Sequence, residues 1–596
     1  MKIEKKRNLR ERYRSSILSM AVIVLVFISI QSSSGQNYYP NYPRTVFWHF
    51  GSATPEWYAR FDLVVKSTRN VEWVQKVKAI NSDAIILSTS GWTAWGSGDE
   101  WFPPETNPNY FFVDSNGNFV DGGTGGYMTD ISNLCPTYNG KRFNERFPEY
   151  LVEITDLNYF DGIASDWLWE KPWGVTDIDM DRNGVNDYTE YGKPWVDSVF
   201  IAGTETLLEN MRNAMPADKV LLVNSGWFHV YGETTTNGLM IEHGTGFVSY
   251  DYLWSRYQQF MRDYPEPHVL LMVSNGNASD PNLPEKPKNY FKLMRGMLAW
   301  MMLGDGYYSF MDLAAAEYTY NYWYDEFDLD IGQPTTDAYK LSNGCYIRFF
   351  DQGAVIVNPT GVTQTVSDAD LAAVSGYDGP YYRFLGGQDP DCNDGSEFNQ
   401  VELWGDVWEH LSFGDGIILT TERVIAISDI VVDNVNPATS PGSDPAVFTG
   451  TWTSTNDVSS TYFVSNKYWV NHWEAAIANA GSGSNKATFT PTITRNGRYE
   501  VFEWHGSYAG TATNVPYTIT YAGGATVTGT IDQTINIGQW NSLGVYQFDA
   551  GTTGNFEMNN NANGIVVADA VKFVARDIGY DVVAPQPPQG VEVIQL

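Results

Sequence analysis

The sequence predicts a multidomain α/β chain: a (β/α)8 TIM barrel, then a small antiparallel β domain, then a C-terminal β-sandwich. Three observations carry this. Short apolar runs alternate with amphipathic stretches from Thr45 to about Phe310. After Tyr324 the helical periodicity stops, and residues 335–428 alternate in period two. From Val447 to Ala575 the composition turns to Thr, Gly, Asn and Trp in short strand-like runs. A length of 596 residues agrees, since about 150 residues per domain gives three to four domains.

Taken in order, the chain opens with a targeting pattern. Met1–Arg14 carries seven basic and two acidic residues, Ile17–Ile30 is an apolar run, and Ser32-Ser33-Ser34-Gly35 supplies small residues for cleavage. This reads as a signal peptide over 1–36 rather than an anchor, because spanning a bilayer takes about 20 apolar residues. A secreted or extracellular protein is expected, with periplasmic or cell-surface retention as the alternatives and no stable membrane insertion after cleavage.

The barrel is expected over 37–334. Its strands are read at Thr45–Phe50, Phe61–Val65, Ala84–Leu87, Phe160–Ala164, Val220–Val223, Gly238–Ile241, Val269–Val273 and Tyr307–Phe310. Continuous apolar strands suit a parallel sheet covered by helices on its outer face, and eight of them fit a closed barrel. A doubly wound open sheet is the runner-up, but no Gly-rich loop follows the first strand. The small β domain is expected at 335–430, a Pro/Ser/Asn-rich linker at 431–446, the sandwich at 447–577 and a Pro-rich tail at 578–596.

Composition narrows the function. Hydrophobic residues at 43% and charged residues at 18% exclude wholesale disorder. The formal charge of -33 repels phosphate backbones, so no nucleic-acid partner is expected. Aromatics at 15% suit faces that stack on sugar rings, and equally suit a bulky core. Cys135, Cys345 and Cys392 are too few for a disulfide scaffold, with Cys345–Cys392 the preferred pair if one forms. Walker, zincin, nucleophile-elbow and nicotinamide signatures are absent.

In a barrel, chemistry sits at the C-terminal ends of the strands. The fourth expected strand ends on Asp166, the fifth on Asn224 and the sixth on Glu242. Two facing carboxylates are the minimum apparatus for cleaving a glycosidic bond, one protonated and one ionised. Aromatic and His residues at the same ends are candidate substrate contacts: Trp48, His49, Trp92, Trp167, Asn224, Trp227, His243 and Tyr307. The structural alternative for the aromatics is plain core.

Asp179-Met-Asp181-Arg-Asn183-Gly184-Val185-Asn-Asp187-Tyr-Thr-Glu190 follows the alternating oxygen pattern of a twelve-residue calcium loop. The expected ligands of one structural Ca²⁺ are Asp179, Asp181, Asn183, Val185 through its carbonyl, Asp187 and Glu190. Asn186 departs from the aliphatic residue usual there. An offset set starting at Asp177 is the alternative, and an acidic surface loop the bland reading.

Asp161-Gly-Ile-Ala-Ser-Asp166, Val220-Leu-Leu-Val-Asn-Ser, Gly238-Leu-Met-Ile-Glu242 and Gly306-Tyr-Tyr-Ser-Phe together resemble bacterial (β/α)8-barrel glycoside hydrolases. The plan is similar to clan D and polygalactosaminidase-like enzymes. That resemblance implies Asp166 as nucleophile and Glu242 as general acid/base, although clan D usually places Asp at the second position. Gly497-Arg-Tyr-Glu-Val501, Gly538-Gln-Trp540-Asn-Ser-Leu-Gly544 and Val566-Val-Ala-Asp-Ala-Val571 resemble the golvesin/xanthan-lyase carbohydrate-binding-like domain. The expected function is therefore a secreted, monomeric glycoside hydrolase acting on a polysaccharide or oligosaccharide by retention, without an organic cofactor. A non-catalytic polysaccharide-binding or cell-envelope protein on the same scaffold is the rival.

Overall fold

The structure is a computed structural model. It describes residues 36–49, 55–95, 102–122, 126–166, 168, 171–172, 174–224, 235–242, 250–276, 288–312, 323–375, 379–405, 414–434, 439–440, 443–455 and 475–577. The expected signal peptide, apart from Gln36, and the tail at 578–596 lie outside the described residues.

Eight parallel strands pair in chain order: β1 (Val46–His49), β2 (Leu63–Lys66), β3 (Ile85–Gly91), β4 (Gly162–Asp166), β5 (Val220–Val223), β6 (Gly238–Glu242), β7 (Val269–Gly276) and β8 (Tyr307–Asp312). The sheet also meets itself. Thr45 bridges Tyr308 in parallel, and the Tyr308 N–H donates to the Arg44 carbonyl at 2.9 Å. An open doubly wound sheet has no such contact, so the runner-up topology falls. β4 starts on Gly162 because its backbone lies against Val220, and an added Cβ would collide with the Val220 carbonyl.

Helices cover the outside: α1 (Val71–Ile80), α2 (Phe143–Ile154), α3 (Lys193–Ala214), α4 (Tyr250–Asp263) and α5 (Lys288–Met302). The Asn70 side chain caps α1 by accepting from the Trp73 N–H at 3.1 Å. α3 buries Val196, Phe200, Leu207 and Met211, one stripe at helical spacing. Ile163, Leu221, Val223, Leu239 and Ile241 join the cluster holding these helix residues. Side chains alternate along a strand, so Ala164 and Asp166, Leu222, and Met240 and Glu242 face the barrel interior. Among the described residues no helix is long and apolar enough to cross a membrane.

The small β domain is a five-stranded antiparallel sheet through Tyr346–Phe350, Gly353–Val357 and Gly416–Thr420, with its own core of Ile347, Ile356, Leu371 and Leu419. It docks on the barrel through Arg295 of α5, which is 2% exposed and donates to Asp415 at 3.0 Å and to the Gly416 carbonyl at 3.0 Å. Cys345 is buried in this core and Cys392 packs against it. Both are free thiols, so the preferred disulfide is not formed.

The C-terminal region pairs four strands in the order Ile430–Asp433, Ala570–Asp577, Gly497–Trp504 and Asn541–Phe548. Against them packs a five-stranded sheet containing Lys486–Phe489, Asn555–Asn559 and Val515–Tyr521. Val501, Phe489, Phe548, Phe556 and Phe573 fill the space between them. Ile430–Asp433 is an edge strand of this sandwich, so the segment read as a 431–446 linker opens inside the sheet. The Val432 side chain is buried in the sandwich core, which is why the strand holds there. Arg495 ties the sandwich to the small β domain by donating to the Gly386 and Asn393 carbonyls at 2.7 and 2.8 Å.

Candidate active site

Three adjacent strand ends converge. Asp166 closes β4 and is 8% exposed, Asn224 follows β5 at 1%, and Glu242 closes β6 half-buried. The Asn224 amide nitrogen donates to Asp166 Oδ1 at 3.0 Å and to Glu242 Oε2 at 2.7 Å. Those two oxygens therefore lie within about 6 Å of each other, one amide nitrogen between them. The opposite amide orientation would aim a carbonyl oxygen at two carboxylates, so the donor assignment follows from the network. The backbone around Asn224 is equally fixed. Its N–H donates to the Ser165 carbonyl at 3.1 Å, its carbonyl accepts from Leu168 N–H at 3.0 Å, and the Asp166 carbonyl accepts from Trp92 N–H at 3.1 Å.

The aromatic expectations fare differently. Trp48 is 1% exposed, and Trp92 and Tyr307 are both 0%. Trp48 and Tyr307 are bulk within the sheet, and Trp92 packs edge-on against Phe147 of α2 at 6.1 Å. These rings are core rather than sugar-stacking faces, because a closed barrel and its helical coat must be filled before a cleft can be lined. Asn224 does reach the mouth, but as the link between the carboxylates. The signal for that role was an Asn ending an apolar run between two acidic strand ends. The side chains of His49, Trp167, Trp227 and His243 lie outside the described residues.

Behind β4 the acidic loop curls on itself. Carboxylate oxygens of Asp179, Asp181 and Asp187 lie within 4.8 Å of one another. Gly184 has φ +86°, a conformation that favours glycine, and this lets the Asn183 and Gly184 N–H groups donate to Asp179 at 3.0 and 2.8 Å. Asn183 Nδ2 donates to Glu190 at 2.8 Å, and Val185 is exposed. Asp187 is fully buried. Its Oδ2 accepts from Met180 N–H at 2.6 Å, while Oδ1 has no protein partner. Burial pushes the Asp187 carboxyl up to about 6, opposed by the Met180 bond and reinforced by the neighbouring Asp181, Asp179 and Glu190 charges. A lone buried carboxylate oxygen among like charges is the environment a hard cation would relieve.

Known proteins share both regions. Residues 82–354 match the model of hypothetical glycosyl hydrolase family 15. Residues 431–575 match the Golvesin C-terminal domain. The two matches fall on the two regions whose motifs carried the resemblances. A xanthan lyase from Bacillus sp. (strain GL1) is 33% identical over 153 residues, covering 25% of this chain and 15% of that protein. The chain thus spans only a small part of that relative's length. Among solved structures, Paenibacillus xanthan lyase aligns at 25% identity and a TM-score of 0.22, covering 42% of this chain and 26% of that one. The glycoside hydrolase domain of PelA from Pseudomonas aeruginosa aligns at 11% identity and a TM-score of 0.30, covering 46% and 95%.

Proposed function

We propose that the protein is a secreted glycoside hydrolase acting on a polysaccharide or oligosaccharide by retention. The observation that supports this best is the Asp166–Asn224–Glu242 cluster, with two carboxylates two strands apart held by one amide from the end of the strand between them. Its spacing is compatible with the short separation retaining enzymes use, about 5 to 5.5 Å between carboxyl groups. In this reading Asp166 attacks the anomeric carbon, forming a glycosyl ester as the aglycone oxygen leaves. Glu242 gives that oxygen its proton, then takes a proton from the water that hydrolyses the ester. Asn224 keeps both carboxylates aimed at the same space. The glycosyl hydrolase match over residues 82–354 favours this activity.

The acidic loop extends the proposal. Asp179, Asp181, Asn183, the Val185 carbonyl, Asp187 and Glu190 would hold one Ca²⁺ that braces the chain leaving β4 and so the placement of Asp166. The unpartnered Asp187 oxygen supports it. A chelator should then lower the melting temperature, and excess Ca²⁺ should restore it.

The deciding experiment is a screen of the purified full chain against a panel of neutral and uronic-acid oligosaccharides, reading reducing ends. New reducing ends without an ultraviolet-absorbing product support hydrolysis. An unsaturated uronate product would instead make the protein a lyase, and no cleavage of any oligosaccharide would favour a binding protein.

A further inference from the structure

The sandwich carries a loop with little core of its own. It joins the strands Ala525–Ile531 and Asn541–Phe548. Thr534, Ile535, Asn536, Ile537 and Gln539 on it are all exposed, Ile535 at 55%. Two of its residues sit in the left-handed region, Asn536 at φ +54° and Gly538 at φ +72°. Burial gives such a stretch little hold, so its order depends on hydrogen bonds. These converge on two buried side chains, Glu503 at 0% exposed and His505 at 1%.

The ties reach the loop at its start, middle and end. Gln533 Nε2 donates to Glu503 Oε1 at 3.3 Å, and Asn541 Nδ2 donates to Glu503 Oε2 at 3.3 Å. The Gly538 N–H donates to the His505 carbonyl at 3.1 Å. In the middle, His505 Nε2 lies 3.1 Å from the Ile535 carbonyl oxygen, while Nδ1 lies 2.8 Å from Glu503 Oε1. A carbonyl oxygen can only accept, and a carboxylate with an amide N–H on each oxygen is an acceptor too. Both ring nitrogens must therefore donate, which the doubly protonated imidazolium alone can do.

We propose that His505 is a proton-operated latch on the 533–541 loop. The imidazolium holds the Ile535 carbonyl with one N–H and Glu503 with the other. A neutral imidazole has a single N–H, and the charge-assisted bond to Glu503 keeps it. The Ile535 carbonyl then faces a ring lone pair, and the middle of the loop comes free. Opening would also loosen Trp540, whose ring packs against Trp504 at 5.4 Å. The latch does not depend on the roles of Asp166 and Glu242.

The surroundings set the direction of the response. Burial opposes the charge on His505, but the Glu503 hydrogen bond and charge, the Ile535 carbonyl and the Asp569 charge outweigh it and raise its value from 6.5. Asp569 precedes the strand Ala570–Asp577, with Asp433 of the edge strand behind it, and Asp532 opens the loop, so the charges facing the ring from these elements are acidic. Lys572 lies on the other face of the sheet, beside Phe502 and Trp540. The grip is complete below 6.5 and is lost as pH climbs through the raised value.

Hydrogen exchange of the full chain from about pH 6 to about pH 9, corrected for the intrinsic pH dependence of exchange, tests the latch. Peptides spanning 533–541 should lose protection about tenfold or more as pH rises, while those from Gly497–Trp504 keep theirs. The Cε1–H resonance of His505, identified by its absence from the His505→Gln spectrum, should titrate above 6.5. His505→Gln should exchange as the open loop throughout, with no pH step. Glu503→Gln is the second variant: without the carboxylate charge His505 should titrate lower, and the step should move to lower pH with it. Constant protection of 533–541 in the wild-type chain, a His505 resonance titrating at or below the ordinary value, or a step of unchanged size and midpoint in His505→Gln would each overturn the latch.

Discussion

The barrel and the sandwich treat polar residues in opposite ways. β5 and β6 are buried along both faces, Val220–Val223 throughout and Gly238–Glu242 until its final residue. Against such apolar runs an Asn or Glu at the end stands out, and here these residues meet at one amide. In the sandwich, Gly497–Trp504 alternates buried with half-buried or exposed positions, so polar residues are the ordinary solvent face. Its most unusual polar group, Glu503, is fully buried and hydrogen-bonded to His505 at 2.8 Å. Nothing in its alternating strand announces that. A polar residue is informative in proportion to how apolar its surroundings are.

The same contrast explains what was legible. All eight barrel strands were readable because a parallel strand covered on both faces is a continuous apolar run, and the converging carboxylates followed from where those runs end. The substrate aromatics were not readable. A Trp at a strand end looks the same whether it lines a cleft or fills the core, and Trp48 and Trp92 fill the core. Trp57, Trp323 and Trp504 join one core from distant parts of the chain, so no local pattern could gather them. The strand at Ile430–Asp433 hid behind the Pro and Ser residues that follow it.

Substitutions in the two regions should separate function from packing. The barrel mouth should respond most. Asp166→Asn should lower turnover about 10⁴-fold or more with an unchanged melting temperature, and near-full activity in a steady-state assay would remove Asp166 from the mechanism. Trp92→Ala should do the reverse, costing about 3 to 5 kcal/mol in denaturant unfolding because it empties a core position. Unchanged stability with weakened sugar binding would return Trp92 to the cleft. Asn224→Ala removes two hydrogen bonds to carboxylates and should cost about 10- to 100-fold in kcat/KM, with little loss of stability.

Smaller effects follow elsewhere. Ca²⁺ at a hundredfold excess over its Kd should add about 2.7 kcal/mol to stability, and Asp187→Asn together with Glu190→Ala should abolish that gain in thermal unfolding. Glu326 should contribute least. Burial, only partly offset by the Arg295 charge, pushes its carboxyl up to about 7 from 4.5. A raised carboxyl stabilises the fold below its unfolded value and loses that contribution as pH rises through about 7. Melting temperature should therefore climb as pH falls from 8 toward 6, and Glu326→Gln should flatten that slope. Stability changes by at most about 1.4 kcal/mol per pH unit for one such proton. An equal slope in the variant would assign the pH dependence to other carboxyls.

Whether Asp166 and Glu242 form one cleaving site with separate roles is decided by azide rescue. Glu242→Gln is assayed with azide on an activated aryl glycoside of the sugar found in the screen, and the product is characterised by proton NMR. With Asp166 intact as nucleophile, the aryl group still departs and azide captures the glycosyl ester without needing a base, giving a glycosyl azide of the substrate's own anomeric configuration. A glycosyl azide of inverted configuration, or full activity of Glu242→Gln with no azide adduct on natural and activated substrates alike, would rule out that division of roles.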